Sequence, residues 1–253
     1  FTAGPRKGMP RSEMNPAQKK LVQGLLVASL GETGTRTVND VRSLESILQM
    51  IEGPNRRFSR DPEHYYLSVF GAPGKKEQWG WRFEGHHLCV NFTLEGKKVL
   101  SSTPLFYGAN PAIVKSGPKK GLRVLGEIED LGRELMLNLD KSQLKKALGK
   151  GKPEEVKATQ SATYNANLPT GLAGRDMNKV QTKILTNLVL EHTKNMDESL
   201  RKEMETSLSK QLGSVQIAWR GKLEPGEGHS FIVHGPAFII SFSNFQQIGR
   251  AHV

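Results

Sequence analysis

Fifteen residues from Trp79 to Thr93, W-G-W-R-F-E-G-H-H-L-C-V-N-F-T, hold two of the three tryptophans, two of the seven histidines and the single cysteine of the chain. Imidazole is both a common metal ligand and the side chain whose ordinary pKa suits proton transfer near neutrality. His86 and His87 are therefore candidates for either chemistry. Glu84, two residues before His86, could act as general acid or base, ligate a metal, or hold a histidine in one tautomer. On a regular strand two adjacent histidines point to opposite faces, so both rings reach one metal only if a bulge at Gly85 re-aims one of them. Further ligands must come from elsewhere, and His234 is the first choice within the sequence, with His229 and His64 as alternatives. Imidazole-rich sites suit zinc, copper or iron. The competing reading makes His86 a buried histidine bonded to a carbonyl and the tryptophans plain core.

Trp79, Trp81, Arg82 and Tyr107 are candidate substrate-binding residues. They also support an alternative function, a non-catalytic carbohydrate- or peptide-binding module in which Trp79, Trp81, Tyr107 and Trp219 form an exposed aromatic surface. The two readings predict different structures. An enzyme needs histidines converging in a pocket, whereas a binding module needs an aromatic row in solvent with the histidines apart. Cys89, with apolar and β-branched neighbours and no cation beside it in sequence, reads as an inert half-buried thiol.

The elements that position these residues follow from periodicity. Asn15-Pro16 starts a helix carrying Leu21, Leu25, Leu26 and Leu30 until Gly31, and a second helix begins near Asn39 or Asp40 with Val41, Leu44, Ile47, Leu48 and Ile51 inward. Tyr65 to Phe70 alternates as a strand, and Trp79 to Thr93 reads as one strand bent at Gly85. Lys97 to Thr103 returns after the Glu95-Gly96 turn. Thr103 to Pro111 is too rich in turn formers for a regular element. Helices are expected over Glu127 to Leu139, after Asp140, after Asp176 and after Asp197, and the stretch from Pro153 to Ala173 is irregular. Strands return with Val215 to Trp219, Phe231 to Val233 and Phe238 to Phe242. Strands at both ends with helices between predict an α+β fold: a mainly antiparallel sheet of early and late strands packed against the intervening helices.

Composition narrows the classes. Thirty-six basic against 25 acidic residues give +11, but the lysines fall in scattered pairs such as Lys75-Lys76 and Lys119-Lys120, with no nucleic-acid motif, so a nucleic-acid partner is not expected. No run approaches the roughly 20 apolar residues of a membrane-crossing helix. One cysteine excludes an internal disulfide and a cysteine-based zinc cluster. Neither a nucleophile-elbow motif nor a phosphate-cradling loop is present.

The order of F-G-A-P (70 to 73), W-G-W-R-F-E-G-H-H-L (79 to 88), T-P-L-F-Y-G-A-N-P (103 to 111), I-A-W-R-G (217 to 221) and H-G-P-A-F-I-I-S-F (234 to 242) resembles domain-of-unknown-function family 3500, a bacterial family. The resemblance covers residues 16 to 246. It implies a secreted or periplasmic protein and a C-terminal His-x-His as a further donor to the histidine pair. Residues 247–253, Q-I-G-R-A-H-V, depart from the family pattern and look like the translation of a common short-read sequencing adapter. The expected layout is thus a flexible lead-in over 1–15, one α+β domain over 16–246, and an extraneous tail over 247–253 that includes His252. The expected function is a secreted metal-dependent enzyme, hydrolytic or oxidative, built around Glu84, His86 and His87 and acting on an unknown substrate.

Overall fold

The computed structural model describes residues 3–74, 77–154, 168–245 and 248–252. The Lys75-Lys76 pair and most of the irregular stretch expected between Pro153 and Ala173 lie outside them. Helix α1 (Pro16–Glu52) starts on a reciprocal cap in which the Asn15 side chain accepts from the Gln18 amide and the Gln18 side chain accepts from the Asn15 amide. Pro16 occupies the first turn, where its missing N–H is not needed. Gly31 leaves the helical path (φ 64°, ψ −176°), yet the helix resumes at once rather than near Asn39. Glycine meets the positive φ without steric cost, so the expected stop is a kink inside one 37-residue element.

The first half of the chain also carries β1 (Met9–Pro10), β2 (Tyr65–Phe70), β3 (Gln78–Gly85), β4 (Leu88–Glu95), β5 (Lys98–Ser101) and β6 (Phe106–Ala109). Two helices, α2 (Gly126–Leu137) and α3 (Lys141–Ala147), link it to the second half. There the order is β7 (Leu172–Ala173), α4 (Lys179–Thr193), α5 (Glu198–Gln211), β8 (Gln216–Gly221), β9 (His229–Gly235), β10 (Phe238–Asn244) and β11 (Gly249–His252). Among the described residues all eleven strands join one sheet in the order β1-β2-β3-β4-β6-β11-β10-β9-β8-β7, with β5 paired to β4 beside this path. Every neighbouring strand pair is antiparallel. The α+β fold expected from the sequence is the one formed.

Alternation sorts the strands. Trp81, Phe83, Leu88, Val90 and Phe92 from one half, and Ile217, Trp219, Phe231, Val233, Ile240 and Phe242 from the other, share one apolar core with Leu26, Leu30, Leu44, Leu185 and Leu188 of the helices. Burying side chains of this size stabilises by about 1.5–3 kcal/mol each before entropy is counted.

Several local expectations are corrected. Trp79 to Thr93 is not one bent strand: β3 and β4 are joined by the two-residue turn His86-His87, with Gly85 opposite Leu88. Thr103 to Pro111 contains β6, buried at all four positions in the middle of the sheet, because its apolar residues can be paired on both sides. Asn178 rather than Asp176 caps α4. Within the lead-in expected to be flexible, Met9 and Pro10 pair with Leu67 and Tyr66. Within the tail expected to lie outside the domain, residues 249–252 pair with both β6 and β10.

The sheet order has a symmetry that periodicity alone concealed. About the β6–β11 pair, β4 corresponds to β10, β3 to β9, β2 to β8 and β1 to β7. Each edge strand runs into a 3-10 turn and then an asparagine-capped helix, Met14-Asn15-x-x-Gln18-x-Lys20 in one half and Met177-Asn178-x-x-Gln181-x-Lys183 in the other. The kinked α1 then matches the α4–α5 pair. Both central hairpins turn in two residues, Gly85 facing Leu88 and Gly235 facing Phe238. Among the described residues the two halves thus repeat one order of strands and helices, with α2 and α3 between them and β5 unmatched.

Candidate functional site

The first hairpin turn is chemically loaded. His87 adopts φ 57°, the positive-φ conformation that only glycine reaches freely, and it does so alone among the described non-glycine residues. Its carbonyl accepts from the Gly108 amide at 2.7 Å, and its ring lies so close to Gly108 that an added β-carbon would sit 2.6 Å from Nδ1. The two imidazoles are 4.1 Å apart between centroids, and both are buried. Burial, helped by the neighbouring His86 and Arg250, lowers the His87 pKa to about 2, so this ring stays neutral.

His86 is held by charged side chains. Its Nδ1 meets a carboxylate oxygen of Glu45, which α1 carries into the core at 3% exposure. The Arg60 guanidinium stands 3.4 Å from the same nitrogen and 3.9 Å from the other Glu45 oxygen. The carboxylate only accepts and makes the closer contact, so Nδ1 carries the proton, gives it to Glu45, and leaves Nε2 as the basic nitrogen; Arg60, which only donates, then makes no hydrogen bond to Nδ1 and stands beside it as a cation facing the other Glu45 oxygen. Arg60 is held in turn by two bonds to Glu52, at 2.6 and 2.8 Å. Tyr65, fully buried on β2, donates from its hydroxyl to the His86 carbonyl at 2.9 Å and fixes the turn from beneath. Gly85 is needed here: a β-carbon would lie 2.5 Å from the Tyr65 ring.

A pocket of about 220 Å³ opens over His86. Glu45, Tyr65 and His86 line it with Ser59, Asp61 and His64 of the loop before β2, and residues 3–5 complete the lining with Tyr66. Two buried arginines pin the loop. Arg60 ties it to Glu52, and Arg42 donates twice to the Pro62 carbonyl and once to Glu63, itself bonded to Arg11 and Lys19.

The residues expected from the sequence separate. Glu84 does not meet His86: it sits on β3 facing the other side of the sheet, between Arg6 at 3.8 Å and Arg82 at 3.6 Å. Arg82 donates to Asn91 on that face. His234 lies on β9, four strand spacings or roughly 19 Å from β4, with Nε2 3.1 Å from the Pro169 carbonyl. It cannot share a metal with His86. Trp81, Trp219 and Tyr107 are buried, and Trp79, half-buried, donates to the Gly96 carbonyl, so these four rings form no exposed aromatic surface. Burial raises the pKa of Cys89, which suits an inert thiol.

His229 is also buried, stacked 4.7 Å from Trp219, with Nδ1 donating to the Glu227 carbonyl. His64 stands exposed at the pocket rim, 3.6 Å from Asp61. Among the described residues no group of three or more His, Cys, Asp or Glu is arranged to hold a metal ion.

Glu45 was missed, and a signal for it existed. It falls four residues after Val41 and three before Leu48, on the inward stripe of its helix, and a lone carboxylate on an apolar stripe requires a buried partner.

Fold and site together define an antiparallel α+β protein of two similarly arranged halves with a carboxylate–imidazole pocket in the first. The whole chain, residues 1–253, matches a single family model, and the chain belongs to that family, described as "Protein of unknown function (DUF3500)". No curated protein and no solved structure matches it. Among the described residues no helix is long and apolar enough to cross a membrane.

Proposed function

We propose that this protein is a hydrolytic enzyme whose reaction centre is the Glu45–His86 pair, with Nε2 of His86 as the proton-transfer group. The observation that carries this reading is a buried carboxylate holding Nδ1 of an imidazole that lines a pocket. The neutral His87 packs beside it and keeps water and charge from that flank. The pocket volume suits a small polar substrate or one residue of a larger one. The test is hydrolysis of a panel of chromogenic esters, amides, phosphoesters and glycosides by wild type, His86→Ala and Glu45→Gln. One class should be hydrolysed and lose about 10²–10⁴-fold in rate in His86→Ala. Full turnover by that variant would refute the reading.

A metal-dependent reaction is the second reading. A carboxylate on one histidine nitrogen is also the arrangement that aims the other at a metal. Here His86 would supply one ligand through Nε2. Elemental analysis decides it: zinc, copper or iron in the wild type and absent from His86→Ala favours the metal. Export from the cytoplasm is proposed on the family resemblance, and fractionation of a producing bacterium tests it.

A further inference from the structure

We propose that Ser59 is the nucleophile of the His86 pocket, so that Ser59, His86 and Glu45 act as a hydroxyl–imidazole–carboxylate relay. The inference rests on the hydrolytic reading above and adds a covalent intermediate to it. Ser59 is exposed and lines the same pocket as His86 and Glu45, which puts a hydroxyl, an imidazole and the carboxylate that holds it around one small cavity. Three elements supply the three groups: the loop before β2, the β3–β4 turn and α1. The same constellation of roles recurs on unrelated folds, where geometry rather than sequence order identifies it.

The loop is built to hold a position. Arg60, the residue after Ser59, is buried and bonded twice to Glu52, while Arg42 is buried and bonded to Pro62 and Glu63 on the far side. Asp61 accepts from the Glu63 amide at 2.8 Å, and Ser12 donates its amide to the Glu63 carbonyl at 3.1 Å. Burying two guanidinium groups to fix a surface loop costs desolvation, which is offset only by full pairing. Such an arrangement is what a preorganised reacting group requires. Among the described residues Ser59 and His86 form no hydrogen bond as they stand; such bonds are commonly long in an unliganded site and close in the complex.

The chemistry balances without an external oxidant, reductant or metal. The Ser59 oxygen attacks an acyl carbon, forming the Oγ–C bond, while its proton passes to Nε2 of His86. Collapse breaks the bond to the leaving group, which takes that proton. Water then gives a proton to His86, attacks the acyl carbon and releases Ser59, which recovers its proton from His86. Glu45 stabilises the imidazolium through Nδ1–H in both steps.

A biotinylated fluorophosphonate tests this without knowledge of the substrate. The Ser59 oxygen displaces fluoride from phosphorus, and mass spectrometry of the digest locates the adduct. The expected result is a stable adduct on Ser59 in the wild type, none in Ser59→Ala, and labelling slowed about 10²–10⁴-fold in His86→Ala and more mildly in Glu45→Gln. Circular dichroism confirms that each variant is folded, and Ser59, being exposed, tolerates the change to alanine. No adduct on Ser59 in the folded wild type, or equal labelling in His86→Ala and Glu45→Gln, overturns the inference. If Ser59→Ala keeps a hydrolytic activity that His86→Ala loses, Ser59 is eliminated while the proposed function stands. If His86→Ala keeps that activity, both fall.

Discussion

The two central hairpins occupy matching places in the two halves of the sheet, yet they carry different turns. Gly85-His86-His87-Leu88 joins β3 to β4, and Gly235-Pro236-Ala237-Phe238 joins β9 to β10. The second turn suits its geometry cheaply: proline has no exposed N–H to satisfy and alanine buries no polar group. The first is costly, with a histidine at positive φ, a second histidine bound to a buried carboxylate, and a tyrosine hydroxyl spent on a turn carbonyl. When two matching hairpins in one sheet can both close in two residues and only one uses the expensive solution, stability does not account for the expense.

The largest expected break in that comparison is functional. Glu45→Gln and His86→Ala should lower the hydrolytic rate by about 10²–10⁴-fold, whereas Ala237→Gly in the sister turn should leave it within about twofold. Steady-state kinetics on the substrate class found by screening measures both.

The next largest is the response to acid. His87 has a folded-state pKa near 2 because burial disfavours its cation, against an unfolded value of about 6.5. The unfolded chain therefore binds the extra proton between those values, so stability is complete above about pH 6.5 and falls as pH drops toward 2. His192, buried on α4 with a pKa lowered to about 4 by the same cause, adds to the slope down to that pH. Denaturant unfolding from pH 6.5 to 4.5 should show about 2–3 kcal/mol lost for His87, and His87→Asn, which tolerates positive φ and does not titrate, should recover that part. The Pro236-Ala237 turn has nothing to titrate.

Packing beneath the turns should differ as well. A methyl group at Gly85 meets the Tyr65 ring at 2.5 Å, whereas at Gly235 the nearest atoms, of Phe238 and Val215, are at 3.1 and 3.2 Å. Gly85→Ala should cost about 1–3 kcal/mol and Gly235→Ala under about 1 kcal/mol by thermal denaturation. The smallest effect should also be the most even. Asn15→Ala and Asn178→Ala each remove one half of a reciprocal cap, and each should cost about 1 kcal/mol. A large inequality between them would weaken the equivalence of the two helices.

Local pattern was enough for the fold class and for most helices and strands, and it singled out His86 and His87 as candidates, because amphipathic periodicity, caps and residue type are properties of neighbouring residues. The bend at Gly85 was legible, but not that it was a full reversal. A two-residue hairpin with histidines at the turn has none of the Asn-Gly or Asp-Gly chemistry that announces one. The central strand Phe106–Ala109 was hidden among turn formers for a similar reason: its strand character comes from two partners far away in sequence.

What the sequence by itself determined is therefore most of the elements, their inward faces and an adjacent histidine pair as the candidate site. Which carboxylate meets that pair was a tertiary decision. Glu84 is two residues from His86 and faces away, whereas Glu45 is 41 residues distant and touches it. Strand alternation sends a near neighbour to the opposite face, while helix packing on the sheet brings a remote residue into contact. The same physics buried Trp81, Tyr107 and Trp219 and left His234 on another strand, so the site is assembled by the sheet and the helix upon it.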